Sequence, residues 1–212
     1  MDNPSDSELT EQGLSPEGRG RILVLGCGAL AREILALTRD FDHIDLHCLP
    51  AIYHNHPERI VPAVRNAVAK ATAYDRVFLA YADCGTGGEL AKAAEELGIE
   101  MMGGPHCFAF YQGTEDFLHR SDHEFTSFYL TDFLVRQFDA FVWKPLGLDR
   151  HPELRDSYFG HYSTLVYQAQ TDNPALVEKA RDCARRLGLE FEHRVTGYGD
   201  LETALSALAE KA

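Results

Sequence analysis

The chain has 212 residues, 45% hydrophobic and 25% charged, the balance of an ordinary globular protein with one α/β domain and room for a subdomain. Its formal net charge of −13 argues against nucleic acid as a main partner, because phosphate binding needs clustered lysine and arginine. No apolar run approaches the ~20 residues that a membrane helix needs, so no membrane association is expected.

Residues 1–19 are polar and acidic and read as a disordered tail. They lack the basic start and apolar core of a signal peptide, so a cytoplasmic location is expected. Residues 20–212 read as a single domain. The run RILVLG at 21–26 is nearly all apolar, as a strand buried on both faces must be. A helix follows at 29–39, with Leu30, Ala31, Ile34, Leu35 and Leu37 as its apolar stripe. A second strand fits 44–48. After the loop LPAIYHNHPE, a helix runs to about residue 73, with Pro57 in its first turn. The third strand fits 76–81, the third helix 89–97 with Gly98 as its stop, and the fourth strand 99–102. This βαβαβαβ order predicts a parallel sheet with helices on both faces, a Rossmann-like α/β fold.

The segment 108–157 reads as a helical insertion. Phe125, Phe128, Tyr129 and Phe133 recur at helical spacing and predict a helix over 125–142. Its aromatic residues suit a core or the interface of a homo-oligomer, or, as a sharper alternative, a lid over a cofactor. Beyond it a strand fits 164–168, a helix 173–187 ending at Gly188, a strand 189–195, and a helix from Asp200, whose carboxylate suits an N-cap.

Five cysteines in a chain read as unexported point to thiols rather than disulfides. There is no CxxC pair, so a metal site must be assembled from distant segments. Cys27 (LGCGALA), Cys84 (YADCGTGG) and Cys107 (GGPHCFAF) each fall just past a strand, in a glycine-rich loop. Parallel strands send their carboxyl ends to one edge, so the three can meet in one pocket. Three thiolates there suit zinc or an iron–sulfur cluster with one open coordination position. The glycines Gly26, Gly28, Gly85, Gly87 and Gly88 are the backbone expected to approach a cofactor. GCGALA lacks the third glycine of a dinucleotide fingerprint. Cys84 has the most suggestive setting, because a glycine-rich turn entering a helix lowers a thiol pKa. His54 and His106 are candidate acid–base groups, and His56 is a second loop histidine of the same kind. Cys48 and Cys183 are assigned to packing.

The motifs GCGAL, LPAxxHNxP, DCGTGG, GPHCFxF and HYSTLVY together resemble a family of bacterial and archaeal proteins classed as a domain of unknown function, over roughly residues 21–205. Some members of that family sit beside corrinoid-dependent methyl-transfer proteins. The resemblance therefore implies a role near one-carbon or corrinoid chemistry, with a corrinoid protein as partner. The post-strand cysteines are also similar to those of quinolinate synthase and the diphthamide-forming radical enzymes, which hold an iron–sulfur cluster with three cysteines. DCGTGG resembles the DSGxGG loop of glutamate racemase, with Cys84 in place of the serine.

The expected function is thus a metal- or iron–sulfur-dependent protein acting on a small molecule as a lyase or transferase. Cofactor-free cysteine catalysis and delivery of a metal or corrinoid to a partner are the alternatives.

Overall fold

A computed structural model describes residues 4–121 and 125–210. The chain divides into two compact units, one running to Phe110 and resuming at Asp200, the other spanning Tyr111–Gly199.

The first unit opens with helix α1 (Asp6–Glu11), followed by β1 (Ile22–Cys27), α2 (Ala31–Thr38), β2 (Ile44–Leu49), α3 (Ile60–Lys70), β3 (Arg76–Ala80), α4 (Glu89–Leu97) and β4 (Glu100–Met101). Its four strands are parallel in the order β2-β1-β3-β4. β1 lies inside the sheet and every one of its residues is buried, which is why its sequence shows no polar alternation. Right-handed crossovers then place α2 on one face and α3 and α4 on the other, and α3 and α4 pack together. The chain turns left from β1 to β2 and right from β2 to β3. The topological switch point therefore lies between the carboxyl ends of β1 and β3, where parallel α/β sheets bind ligands.

The segment read as a disordered tail is structured from residue 4 onward. Ser5 and Glu8 form a reciprocal capping box, with the Glu8 N–H donating to Ser5 Oγ at 3.2 Å and the Ser5 N–H to Glu8 Oε2 at 2.9 Å. Leu9 is fully buried. Leu14 pairs with Cys48 through both backbone bonds, at 2.9 and 2.8 Å. The Arg19 N–H donates to buried Asp45 at 2.9 Å. Polar composition concealed this because only one side of α1 is apolar. That side packs on the short turns after β1 and β2, at the carboxyl edge of the sheet.

The second unit holds α5 (Ala109–Gln112, which begins at the boundary), α6 (Thr114–Ser121), β5 (Ser127–Thr131), α7 (Asp132–Arg136), α8 (Arg155–Phe159), β6 (Thr164–Ala169), α9 (Pro174–Leu187) and β7 (Glu190–Val195). Its strands form a separate parallel sheet in the order β5-β6-β7. The segment expected as a helical insertion thus contributes a strand, and the single domain resolves into two units. The helix expected over 125–142 is instead β5, the short α7 and a wide helical turn at Asp139–Trp143. Phe128 meets Phe159 at 5.2 Å between ring centroids, and Tyr129 meets Phe117 at 5.4 Å. Tertiary partners on separate helices claim the two successive aromatics, so they sit on opposite faces, as in a strand. The last helix, α10 (Gly199–Glu210), belongs to the first unit. Asp200 lies inside its first turn rather than at the cap.

No helix among the described residues is long and apolar enough to cross a membrane.

Candidate functional site

Cys27 is the last residue of β1, one position earlier than its expected place in the loop. Gly28 follows because the backbone there is crowded. A Cβ on it would lie 2.4 Å from the Leu9 carbonyl oxygen and 3.1 Å from that of Leu49. Beyond β3 and β4 the chain continues ladder-like pairing. The Asp83 N–H donates to the Gly104 carbonyl at 2.8 Å and the Cys84 N–H to that of Pro105 at 3.0 Å. These two bonds hold the DCGTGG loop against the GGPHC loop. They bring Cys84 Sγ to 3.1 Å from Cys107 Sγ.

The two thiols are inequivalent. The Cys107 thiol, together with the N–H groups of Cys107 and Ala82, is directed at the Cys84 sulfur, and the Cys84 pKa is lowered although burial opposes this. Cys107 moves up instead, because it serves as donor in that pair and is itself desolvated. Cys27 is buried and its thiol is pushed up to about 11, chiefly by desolvation, with the negative charge of Cys84 adding to the rise and the Ala29 N–H opposing it. The three cysteines therefore sense one another electrostatically.

Tyr81, one residue beyond β3, was not foreseen as a site residue. It is fully buried, and its hydroxyl makes no well-formed hydrogen bond among the described residues. It faces the sulfurs of Cys27, Cys107 and Cys84. The signal was present in the sequence as a phenol just after the apolar run Val77–Ala80, because a buried tyrosine hydroxyl usually seeks a partner.

Asp83 was also missed as a functional group. Its Oδ1 accepts from Thr86 Oγ1 at 2.7 Å and from the Gly88 N–H at 2.6 Å, and its Oδ2 from the Gly87 N–H at 3.1 Å. Burial raises the carboxyl pKa, but these donors and the Gly85 N–H outweigh it and hold the group below its ordinary 3.8. The expected cofactor cradle of Gly85, Gly87 and Gly88 is thus engaged by the chain's own carboxylate. Gly26 and Gly28 serve close packing, the former against Ile34 and the latter against Leu9.

His54 and His106 stand at the rim, solvent-accessible yet crowded by protein. Both are held below the ordinary imidazole value by lost hydration. For His54 the neighbouring His106 adds repulsion, while Asp83 opposes the shift of His106. His106 also stacks on Phe108, with centroids 4.9 Å apart. His56 is directed to Glu58 Oε1 at 3.5 Å. Cys48 is buried near Cys27, and Cys183 lies buried in α9, consistent with packing roles.

Sulfur is the right donor for a soft ion. Two thiolates on one tetrahedral zinc lie roughly 3.8 Å apart, given Zn–S bonds of about 2.3 Å. The observed 3.1 Å needs only a small opening to match. In a [4Fe–4S] cluster each cysteine caps its own iron and the sulfurs stand much further apart. Among the described residues, no group of three or more His, Cys, Asp and Glu is already set in ligating positions.

A model of a family described as protein of unknown function (DUF1638) matches residues 48–205. The chain belongs to this family. Cys84, Cys107, His54 and His106 fall inside the matched span, and Cys27 precedes it. No curated protein and no solved structure matches the chain.

Proposed function

We propose that Cys27, Cys84 and Cys107 hold one soft metal ion at the switch point of the first sheet, leaving a position for a small-molecule ligand. The observation that carries this reading is the 3.1 Å approach of Cys84 and Cys107 beside the end of β1. Cys27, the last residue of β1, is the third ligand. The buried Tyr81 hydroxyl is placed to hydrogen-bond a thiolate or a ligand atom there. The spacing of Cys84 and Cys107 favours a single ion over a [4Fe–4S] cluster. A bound ion would act as a Lewis acid or activate a thiol. His54 and His106, neutral near pH 7, are the proton carriers at the rim. The family resemblance supports methyl-transfer or corrinoid chemistry as the setting.

Anaerobic purification with metal analysis and a visible spectrum tests this. About one zinc or similar ion per chain is expected, with at least ~100-fold weaker binding in Cys84→Ser. Absence of binding at micromolar zinc overturns the reading. A brown protein with stoichiometric sulfide replaces the single ion with a cluster.

The second reading is cofactor-free thiol catalysis with Cys84 as nucleophile or base. It is favoured by the donors converging on the Cys84 sulfur.

A further inference from the structure

The 3.1 Å contact between Cys84 and Cys107 has a use that neither metal binding nor carbon chemistry requires. Disulfide sulfurs stand about 2.05 Å apart, so the pair is roughly one ångström from bonding distance. The loops that carry them are tied by the Asp83–Gly104 and Cys84–Pro105 backbone bonds, so little chain movement is needed to close that gap. Both residues are half-buried rather than enclosed, which leaves a route for a small reagent. More donors converge on the Cys84 sulfur, the Cys107 thiol and the N–H groups of Cys107 and Ala82, than on Cys107, which has the Ala82 N–H. This arrangement matches an attacking thiol with a resolving partner beside it. The other two cysteines of this unit, Cys27 and Cys48, are buried.

We propose that Cys84 and Cys107 are a redox-active dithiol that exchanges with small-molecule disulfides. The Cys84 thiolate attacks one sulfur of the disulfide. A mixed disulfide forms, the original S–S bond breaks, and one small thiol leaves with a proton. Cys107 then loses its proton and attacks the Cys84 sulfur, closing the internal disulfide and releasing the second small thiol. The protein gives up two electrons and two protons, and the small disulfide takes up both. The reverse sequence, driven by small thiols, restores the dithiol. This inference rests on the geometry of the sulfur pair and its loops and stands apart from the metal reading, although the two uses of the sulfurs exclude each other.

The test uses the full-length chain, reduced, stripped of metal with a chelator and desalted under argon. It is exposed to oxidised glutathione, quenched with an alkylating agent and digested with trypsin. In wild type, peptide 77–92, which carries Cys84, should become linked to peptide 93–120, which carries Cys107. Cys107→Ala should stop at a stable glutathione adduct on Cys84. Cys84→Ala should react at Cys107 about tenfold more slowly or worse than the wild-type pair. The wild-type peptide link does not depend on any variant folding. Wild type that keeps all five thiols, or that accumulates the adduct without the internal bond, overturns the proposal. So does reaction of Cys84→Ala at the wild-type rate. Loading wild type with zinc chloride first should block linkage if the metal reading holds. Linkage unaffected by zinc sinks that reading and leaves the dithiol standing.

Discussion

Cys84 is the one non-glycine among the described residues with a left-handed backbone, at φ +48°. An L side chain in that region costs about 1 kcal/mol or more, and glycine avoids the cost. The neighbouring Gly85, Gly87 and Gly88 all take positive φ, so the turn suits glycine throughout and carries a thiol at its most strained point. Cys84→Gly should therefore be more stable than Cys84→Ala by about 1 kcal/mol in urea unfolding, and both should lack the reactive thiol. Equal stabilities would show that the backbone is unstrained. The reactivity of Cys84 has its own pH signature. Because the folded state favours the thiolate, half-maximal alkylation should fall below the ordinary thiol value of 9.0. Removing the Cys107 donor with Cys107→Ala should move that midpoint upward. A midpoint that stays put would assign the thiolate's stabilisation to the backbone N–H groups alone.

Among the elements, α1 is tied to the site through Gly28. A methyl at this residue would strike the Leu9 carbonyl oxygen at 2.4 Å, with the Ala51 nitrogen at 3.0 Å and the Leu49 carbonyl oxygen at 3.1 Å. All three are backbone atoms and cannot rotate away. Gly28→Ala should cost about 2 kcal/mol in urea unfolding and release amide protection over residues 6–11. Unchanged protection there would mean that α1 does not rest on this loop. The same helix marks where reading along the chain stopped short. Ser5 and Glu8 stand at capping-box spacing, but a six-residue helix is marginal alone and forms only because Leu9 has a buried seat. At β5 the fault was one of period. Phe125, Phe128, Tyr129 and Phe133 fit a helix, yet Ser127–Thr131 pairs in register with Thr164–Gln168. A short aromatic run does not choose between the two until its pairing strand is in place.

On the scale of the molecule, each unit has its own parallel sheet, and the second has a buried polar anchor. In the second unit, Asp132 is buried at the junction of β5 and α7. Its Oδ1 accepts from Tyr167 Oη at 2.7 Å and the Gln170 N–H at 3.1 Å, and its Oδ2 accepts from Thr171 Oγ1 at 2.5 Å. One carboxylate thus ties the ends of β5 and β6. Asp132→Ala leaves three donors unpaired and should cost about 3 kcal/mol. Hydrogen exchange should place the loss in residues 125–199, with residues 4–110 retaining their protection. A uniform loss over both ranges would contradict a local anchor.

The sequence by itself determined the four strands of the first sheet, their parallel sense and the edge to which Cys27, Cys84 and Cys107 are delivered. Those features are written in local periods and in the glycines that end helices, as at Gly98 and Gly188. Only the tertiary structure decided that the GTGG amides serve Asp83, that a buried tyrosine hydroxyl faces the thiols, and that Cys84 and Cys107 come to 3.1 Å. It also decided that the middle of the chain builds a second sheet. Those outcomes depend on partners distant along the chain, and local periodicity carries no record of which distant groups will compete for a donor or complete a strand.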